Sequence, residues 1–106
     1  MTINGEIFDI PYDYSILVNT ADWLIRKGKL KDSDIPLKIT RGRRYLINRK
    51  PEHSDGTGFF SYKTLSNGFY IMTNNSSFQH ENYARRLLEK FGERADALKI
   101  EGLRQG

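Results

Sequence analysis

Two stretches of the chain repeat apolar residues at the spacing of an α-helix, which limits the folds open to it. The first stretch runs from Asp13 to Gly28 and carries an apolar stripe at i, i+4, i+7 and i+8, made of Leu17, Ala21, Leu24 and Ile25. We expect Asp13 to cap this helix and Gly28 to end it, with Arg26 and Lys27 at the negative end of the helix dipole.

The second stretch follows a short β-prone run. Phe69 to Met72 predicts a strand that is entered through the tight turn Asn67-Gly68. A polar block comes next, in which Ser76 or Ser77 can cap a helix. The helix itself is indicated by apolar residues at i, i+3, i+4 and i+7 before Gly92, namely Ala84, Leu87, Leu88 and Phe91.

The remaining segments are shorter or less regular. Residues 30–37 predict a turn or linker, residues 45–47 a strand, residues 51–58 a loop and residues 63–66 an exposed arm. Residues 1–12 could add an edge strand or an arm, and residues 93–106 a short helix with a mobile tail. The sequence thus predicts one small α+β domain over residues 1–106, with two main helices packed on a short antiparallel sheet or hairpin.

Composition excludes several classes of protein. The chain has no cysteine, so disulfides, thiolate zinc sites and cysteine nucleophiles are absent and stability must come from packing. Its longest apolar run has four residues, far short of the roughly 20 that cross a bilayer. Residues 1–13 carry acids but no Lys or Arg, unlike a secretory signal. We therefore expect a cytoplasmic protein that does not bind a membrane.

Positive charge is concentrated in one segment. The net charge is +4, and residues 38–50, here named the basic segment, hold six cationic side chains and no acid: Lys38, Arg41, Arg43, Arg44, Arg49 and Lys50. Such a density indicates binding to a polyanion. Lys and Arg are also common on solvent-exposed strand edges, so a plain basic surface is the alternative interpretation.

Catalysis has little support in the sequence. Glu52, His53 and Asp55 share one loop, but they match no established metal-binding motif, and His80 near the start of a helix could contact a phosphate or solvent. No nucleophile has an obvious activating base. We predict no catalytic residue, no metal and no cofactor, and a metal-dependent nuclease is the less favoured alternative.

Two separate features favour nucleic acid instead. The side chains of Arg41, Arg43 and Arg44 offer forked donors for phosphate oxygens or for a guanine edge in the major groove. Asn74, Asn75 and Ser76 offer amides and a hydroxyl at the start of the second helix, and asparagine can pair with adenine. Each feature alone is common in proteins that bind no nucleic acid.

Order and spacing add a resemblance. The segment from Arg41 to Phe91 resembles the carboxy-terminal DNA-binding domain of the SeqA family, bacterial replication-sequestration proteins that recognise hemimethylated GATC. The likeness rests on an Arg-x-Arg-x-Tyr element at residues 41–45, on an aromatic-aliphatic strand ending in Thr-Asn at residues 69–74, and on the following amphipathic helix. It covers about half of the chain.

The resemblance implies a site. Arg41 and Arg43 would grip the DNA backbone or base edges, Asn74 would be the main base reader and Thr73 would support it. The second asparagine of the family loop falls on Ser76 here, and the family's basic arm is represented by Lys63. Together with the residue patterns above, it gives these predicted DNA-binding residues: Arg41, Arg43, Arg44, Lys63, Thr73, Asn74, Asn75 and Ser76.

Two functions follow from these patterns. The favoured one is a small reader of specific or methylated double-stranded DNA, a monomer or weak homodimer that could serve a phage, a mobile element or a restriction system. The alternative is a protein-interaction module or inhibitor that presents an aromatic patch to a protein partner. That patch would consist of Phe59, Phe60, Tyr62 and Phe69.

Overall fold

A computed structural model describes residues 1 to 100 and contains two helices and two small antiparallel sheets. The helices are α1, Ser15–Arg26, and α2, Ser77–Lys90. The six strands are β1 (Thr2–Ile3), β2 (Glu6–Ile7), β3 (Ile47–Asn48), β4 (Tyr62–Thr64), β5 (Tyr70–Met72) and β6 (Leu98–Lys99). The predicted α+β fold class is thereby confirmed.

Helix α1 ends as predicted but begins differently. Gly28 takes a positive φ of 73° just after the helix, which a residue with a side chain rarely adopts. At the other end the expected cap is wrong, because α1 begins at Ser15 and its cap position, Tyr14, makes no side-chain cap hydrogen bond. The Asp13 carboxylate instead accepts a hydrogen bond of 2.6 Å from the hydroxyl of Ser77. The carboxylate that the local sequence predicts as the α1 cap is therefore hydrogen-bonded to a residue 64 positions away in the sequence.

The first sheet joins the two ends of the described chain. Its strand order is β2-β1-β6, all antiparallel, with Thr2 opposite Ile7 on one side and Lys99 on the other. The amino-terminal strand that the sequence allowed is therefore present, although β1 is the central strand and β2 the edge. The expected carboxy-terminal helix is only a 3₁₀ turn at Ala95–Ala97, and residues 101–106 of the proposed mobile tail lie outside the described residues.

The second sheet has the strand order β3-β5-β4 and supports the site described below. Strands β4 and β5 form a hairpin through the predicted Asn67-Gly68 turn, where Gly68 has a φ of 91°. The exposed arm predicted at residues 63–66 is partly wrong, because residues 63–64 belong to β4 and the Leu65 side chain is buried. Strand β3 lies two residues later than predicted, since the Tyr45 N–H donates to His53 Nδ1 rather than to a strand.

The core lies between the helices and the sheets. Helices α1 and α2 pack on each other, and residues of both sheets close the core around them. The predicted linker at residues 30–37 forms a 3₁₀ turn at Asp32–Asp34 and also contributes to the core. The buried side chains include Ile3, Leu17, Leu24, Leu30, Leu37, Ile47, Ile71, Ala84, Leu87, Leu88 and Leu98.

Candidate nucleic-acid interface

The part of the basic segment that precedes β3 and the turn after β5 meet at one open cleft. A backbone hydrogen bond of 2.8 Å from the Met72 N–H to the Leu46 carbonyl holds these two segments side by side. The cleft has a volume of about 430 Å³. Its lining residues are Arg43, Arg44, His53, Asp55, Thr57, Gly58, Phe60 and Asn74.

The turn after β5 is held firmly at its first residue. The Thr73 N–H donates to the Ser61 carbonyl at 2.9 Å, and the Thr73 hydroxyl donates to the Ser61 hydroxyl at 3.0 Å. Asn74 follows directly and lines the cleft. Its Oδ1 is buried and has no hydrogen-bond partner among the described residues. Thr73 thus supports the position of Asn74, while the Asn74 carboxamide oxygen itself is unsatisfied.

The other polar residues of the turn are partly committed to the fold. Asn75 donates from its N–H to the Thr73 carbonyl at 2.9 Å, and its Nδ2 lies 3.4 Å from the Met72 carbonyl. Ser76 caps α2 as predicted: its hydroxyl accepts from the Gln79 N–H, and its own N–H donates to Gln79 Oε1. The Ser76 hydroxyl already serves the cap, and Asn74 is the residue of this turn whose side chain has a buried polar atom without a partner.

The arginines differ in how the protein uses them. The Arg41 and Arg43 side chains are exposed, and their guanidinium groups have no hydrogen bond or ion pair within residues 1 to 100. The Arg44 guanidinium lies 3.0 Å from the Met72 sulfur, so its head is held over the end of β5. Arg43 and Arg44 line the cleft with Asn74, whereas Arg41 does not.

No acidic side chain in residues 1 to 100 forms an ion pair with the basic segment, although Asp55 lines the same cleft as Arg43 and Arg44. Within the described residues the ion pairs are Lys27–Glu6, Lys29–Glu93, Arg85–Glu81 and Arg94–Asp96. None of them involves a residue of the basic segment. Lys38 and Arg49 donate to backbone carbonyls instead, Lys38 to Gly42 and Arg49 to Ile35 and Asp32. The segment therefore presents a positive field to solvent.

One predicted site residue lies elsewhere. Lys63 is on β4, opposite Ile71, and its Nζ is 5.1 Å from the centre of the Tyr14 ring. That cation–π contact directs the ammonium toward the beginning of α1. Lys63 is not among the residues that line the cleft. The structure thus brings Arg43, Arg44 and Asn74 together and leaves Lys63 apart from them.

The loop with Glu52, His53 and Asp55 has a structural role. His53 Nδ1 accepts the Tyr45 N–H at 3.0 Å, and its ring contacts the Phe59 ring with centroids 4.8 Å apart. Burial, and next the nearby Arg44 charge, lower the pKa of His53, so the neutral form that accepts this hydrogen bond is favoured. Among residues 1 to 100 no three His, Asp or Glu side chains are grouped closely enough to hold a metal ion.

Asp55 is the acidic residue of the cleft. Its carboxylate accepts from both the N–H and the hydroxyl of Thr57, at 3.0 and 2.6 Å. The hydrogen bond from the Thr57 hydroxyl is the main cause of the lowered pKa of Asp55. A negative charge therefore lies beside Arg43 and Arg44, an arrangement that sequence reasoning did not anticipate.

The aromatic patch expected for a protein partner is divided by the fold. Phe59 is only 6% exposed and Phe69 packs against the core, whereas Phe60 is 90% exposed and Tyr62 44%. The four rings therefore do not form one surface. Phe60 belongs to the cleft, a position that the sequence did not indicate because it depends on the hydrogen bonds between Ser61 and Thr73.

Sequence reasoning also missed the environment of His80. The side chain was expected to contact phosphate or solvent, but it is 1% exposed, and its Nδ1 has no hydrogen-bond partner among the described residues. The spacing of the sequence indicates this burial, since His80 lies one helical turn before Ala84 on the apolar stripe of α2. Its burial excludes a direct contact between His80 and a ligand at the surface.

Comparison with known protein families, with curated proteins and with solved structures finds no match for this chain. Its similarity to the SeqA family therefore stays a prediction from the residues quoted above. In the described part of the chain, neither helix has the length and apolar character needed to span a bilayer.

Proposed function

We propose that this protein binds double-stranded DNA through the cleft, as a SeqA-like reader of a specific or methylated site. The observation that carries the proposal is the meeting of Arg43, Arg44 and Asn74 at one cleft beside a basic segment that has no ion pair within residues 1 to 100. Arginine forks suit phosphate oxygens and guanine edges, and asparagine suits adenine.

The arginines and the asparagine would have different tasks. Arg41 and Arg43 are exposed, and their guanidinium groups have no hydrogen bond or ion pair within residues 1 to 100, so these groups can contact the phosphate backbone without first breaking an internal bond. Asn74 is held in position by Thr73, and its buried Oδ1 has no partner, so turning the carboxamide toward a base would break no hydrogen bond of that oxygen. The Asp55 carboxylate opposes the phosphate contacts, because it places a negative charge in the same cleft.

Mutation separates the two tasks. Arg43→Ala should weaken binding to every duplex and lower the slope of log affinity against log salt by about one unit for a lost phosphate contact. Asn74→Ala should cost about 1 to 3 kcal/mol on the preferred site and little on scrambled DNA. Fluorescence anisotropy with unmethylated, hemimethylated and fully methylated GATC duplexes and a scrambled duplex, at two salt concentrations, measures both effects.

Arg86→Ala is the matched control, because Arg86 is an exposed arginine on α2 that does not line the cleft. Base reading by Asn74 would be contradicted if the Arg43 and Asn74 variants lost affinity equally on all duplexes. Lack of binding to any duplex at low salt would refute the DNA-binding proposal.

A protein-interaction module is the second candidate. The observation in its favour is the exposure of Phe60 and Tyr62, since exposed aromatic side chains are frequent anchors at protein interfaces. It predicts a complex that survives high salt and depends on Phe60 but not on Arg43. DNA binding with the salt dependence described above would reject it as the main function of the cleft.

A further inference from the structure

Phe60 is the least expected residue of the cleft. Its side chain is 90% exposed although it stands among polar and charged residues. Leaving a phenylalanine in water forgoes the favourable burial that such a side chain normally obtains, about 1.5 to 3 kcal/mol. A ring in this position is available to a ligand with a flat apolar face.

The exposure of Phe60 is imposed by its neighbours along the chain. Phe59 is buried, its N–H donates to the Pro51 carbonyl at 2.7 Å, and its ring contacts His53. On the other side, Ser61 is joined to Thr73 by the two hydrogen bonds described above. Phe60 and Ser61 form a bend between these two anchored positions, and the Phe60 side chain on this bend is exposed. The hydrogen bonds of Phe59 and Ser61 thus fix the backbone on both sides of Phe60 and keep its ring at the cleft.

The groups around Phe60 are those that bind an unpaired nucleotide. Sites for single-stranded nucleic acid combine a positive groove for the backbone with aromatic rings on which bases stack. Here Arg43 and Arg44 supply the charge, Phe60 the ring, and Asn74 a carboxamide for the edge of a base.

We infer that the cleft receives a nucleobase that has left the DNA stack, with the base stacked on Phe60 and its polar edge bonded to Asn74. This inference rests on the proposed DNA-binding function and extends it, because reading a fully stacked duplex through the major groove would not require an exposed ring. Arg43 and Arg44 would hold the phosphates that flank the displaced nucleotide.

The unsatisfied oxygen of Asn74 offers an acceptor to a displaced base. A buried acceptor without a donor is unfavourable, and rotation of the carboxamide toward a ligand donor relieves that cost. Every unpaired base has such a donor, either an exocyclic amine or a ring N–H such as that at N3 of thymine, so Asn74 does not select among them by this bond alone. We expect a displaced adenine to bind more tightly than a displaced thymine because the larger purine stacks more strongly on Phe60.

The test compares duplexes of one sequence that are either fully paired or carry one extra unpaired adenine or thymine. Fluorescence anisotropy is measured for the wild-type protein, Phe60→Ala and Phe60→Tyr. The adenine-bulged duplex should bind about tenfold more tightly than the paired one. Phe60→Ala should abolish this preference for the bulged duplex. Phe60→Tyr, which keeps an aromatic ring, should retain it.

Phe78→Ala is the matched control, because Phe78 is another exposed phenylalanine, 73% accessible, that does not line the cleft. Thermal unfolding of each variant checks that it folds, as expected for a change at an exposed side chain. Retention of the preference in Phe78→Ala, together with its loss in Phe60→Ala, supports stacking on Phe60.

Three results would overturn the inference. Equal binding of paired and bulged duplexes by the wild-type protein would refute the displaced base and leave the DNA-binding function intact. A preference that persists in Phe60→Ala would show that the ring does not receive the base. Failure of the wild-type protein to bind any of the duplexes would refute the inference and the proposed function together.

Discussion

Two buried polar atoms lack a hydrogen-bond partner in residues 1 to 100, and they belong to Asn74 and His80. The two residues lie on either side of the start of α2, but their surroundings differ. Asn74 borders the open cleft, so rotation of its carboxamide would bring the buried Oδ1 toward a ligand there. His80 is enclosed among core residues, so its unsatisfied Nδ1 affects folding rather than binding.

Burial makes the stability of the protein depend on the protonation of His80. Burial is the main cause of its lowered pKa, and the Asp13 carboxylate and the Asn75 carbonyl oppose it only in part. Below the ordinary value of 6.5 the unfolded chain therefore takes up a proton that the folded protein resists. The stabilisation is present above that pH and is lost as the pH falls.

We expect the free energy of unfolding to decrease from about pH 7 to about pH 5, and to decrease less in His80→Gln. Urea unfolding at several pH values measures this difference in slope. His53→Gln is the comparison: burial also lowers the pKa of His53, so this variant should lose the His53 contribution to the slope and keep that of His80. An unchanged pH dependence in His80→Gln would contradict the assignment.

At the scale of single elements, the beginning of α2 combines a structural role with the proposed binding role. Ser76 and Gln79 form a reciprocal capping box, and Ser77 donates to Asp13. The same turn carries Asn74 into the cleft. A substitution here can alter stability, DNA binding or both, and the choice of side chain decides which.

Two substitutions of Ser76 separate these roles. Ser76→Ala removes the cap and should lower the free energy of unfolding by about 1 kcal/mol. Ser76→Asp keeps a good cap and places a negative charge at the positive end of the helix dipole, so stability should be retained. The same charge repels phosphate, so DNA affinity should fall.

Denaturant unfolding and anisotropy measure the two effects of the Ser76 variants. Ser66→Asp, in the exposed turn between β4 and β5, adds the same charge away from the cleft and should leave DNA affinity nearly unchanged. If Ser76→Asp bound DNA as tightly as the wild-type protein, the turn after β5 would not face the duplex.

The helices could be predicted from sequence more fully than the strands. The stripes of α1 and α2 are local patterns of 3.6-residue period, so each helix can be recognised from its own residues. A strand of two or three residues has no such pattern, and β6 exists because it pairs with β1 at the other end of the described chain. The prediction that Asp13 caps α1 was wrong for a similar reason, since the partner of Asp13, Ser77, is remote in sequence.

At the scale of the whole molecule, the described chain has a Cα radius of gyration of 13.1 Å, the size expected for a compact domain of about 100 residues. Its two sheets share no strand, and they are joined through the core that α1 and α2 close. The first sheet therefore matters to the entire fold, although each of its strands has only two residues.

Ile3 on β1 tests this dependence. Its side chain is 0% exposed, so Ile3→Ala should lower the free energy of unfolding by about 2 to 5 kcal/mol. Ile7 on β2 is 83% exposed and is the matched control, for which Ile7→Ala should change stability by less than about 0.5 kcal/mol. Equal effects of the two substitutions on thermal or denaturant unfolding would show that β1 does not close the core.

The site was less predictable than the helices. The sequence identified the basic segment and the asparagine turn, and the bond between Met72 and Leu46 brings Arg44 and Asn74 to the same cleft. The positions of Phe60 and Asp55 depend on contacts across turns, which no local pattern indicates. Charge and residue type thus indicated the ligand class, and tertiary contacts determined which side chains share the cleft.

The arrangement of the two sheets also suits the protein to attachment on a surface. Both ends of the described chain run into the first sheet, through β1 and β6, whereas the cleft borders the second sheet. A label or a tether joined at the amino terminus would leave from the sheet that does not line the cleft. Immobilisation through this terminus would thus keep the proposed recognition surface accessible.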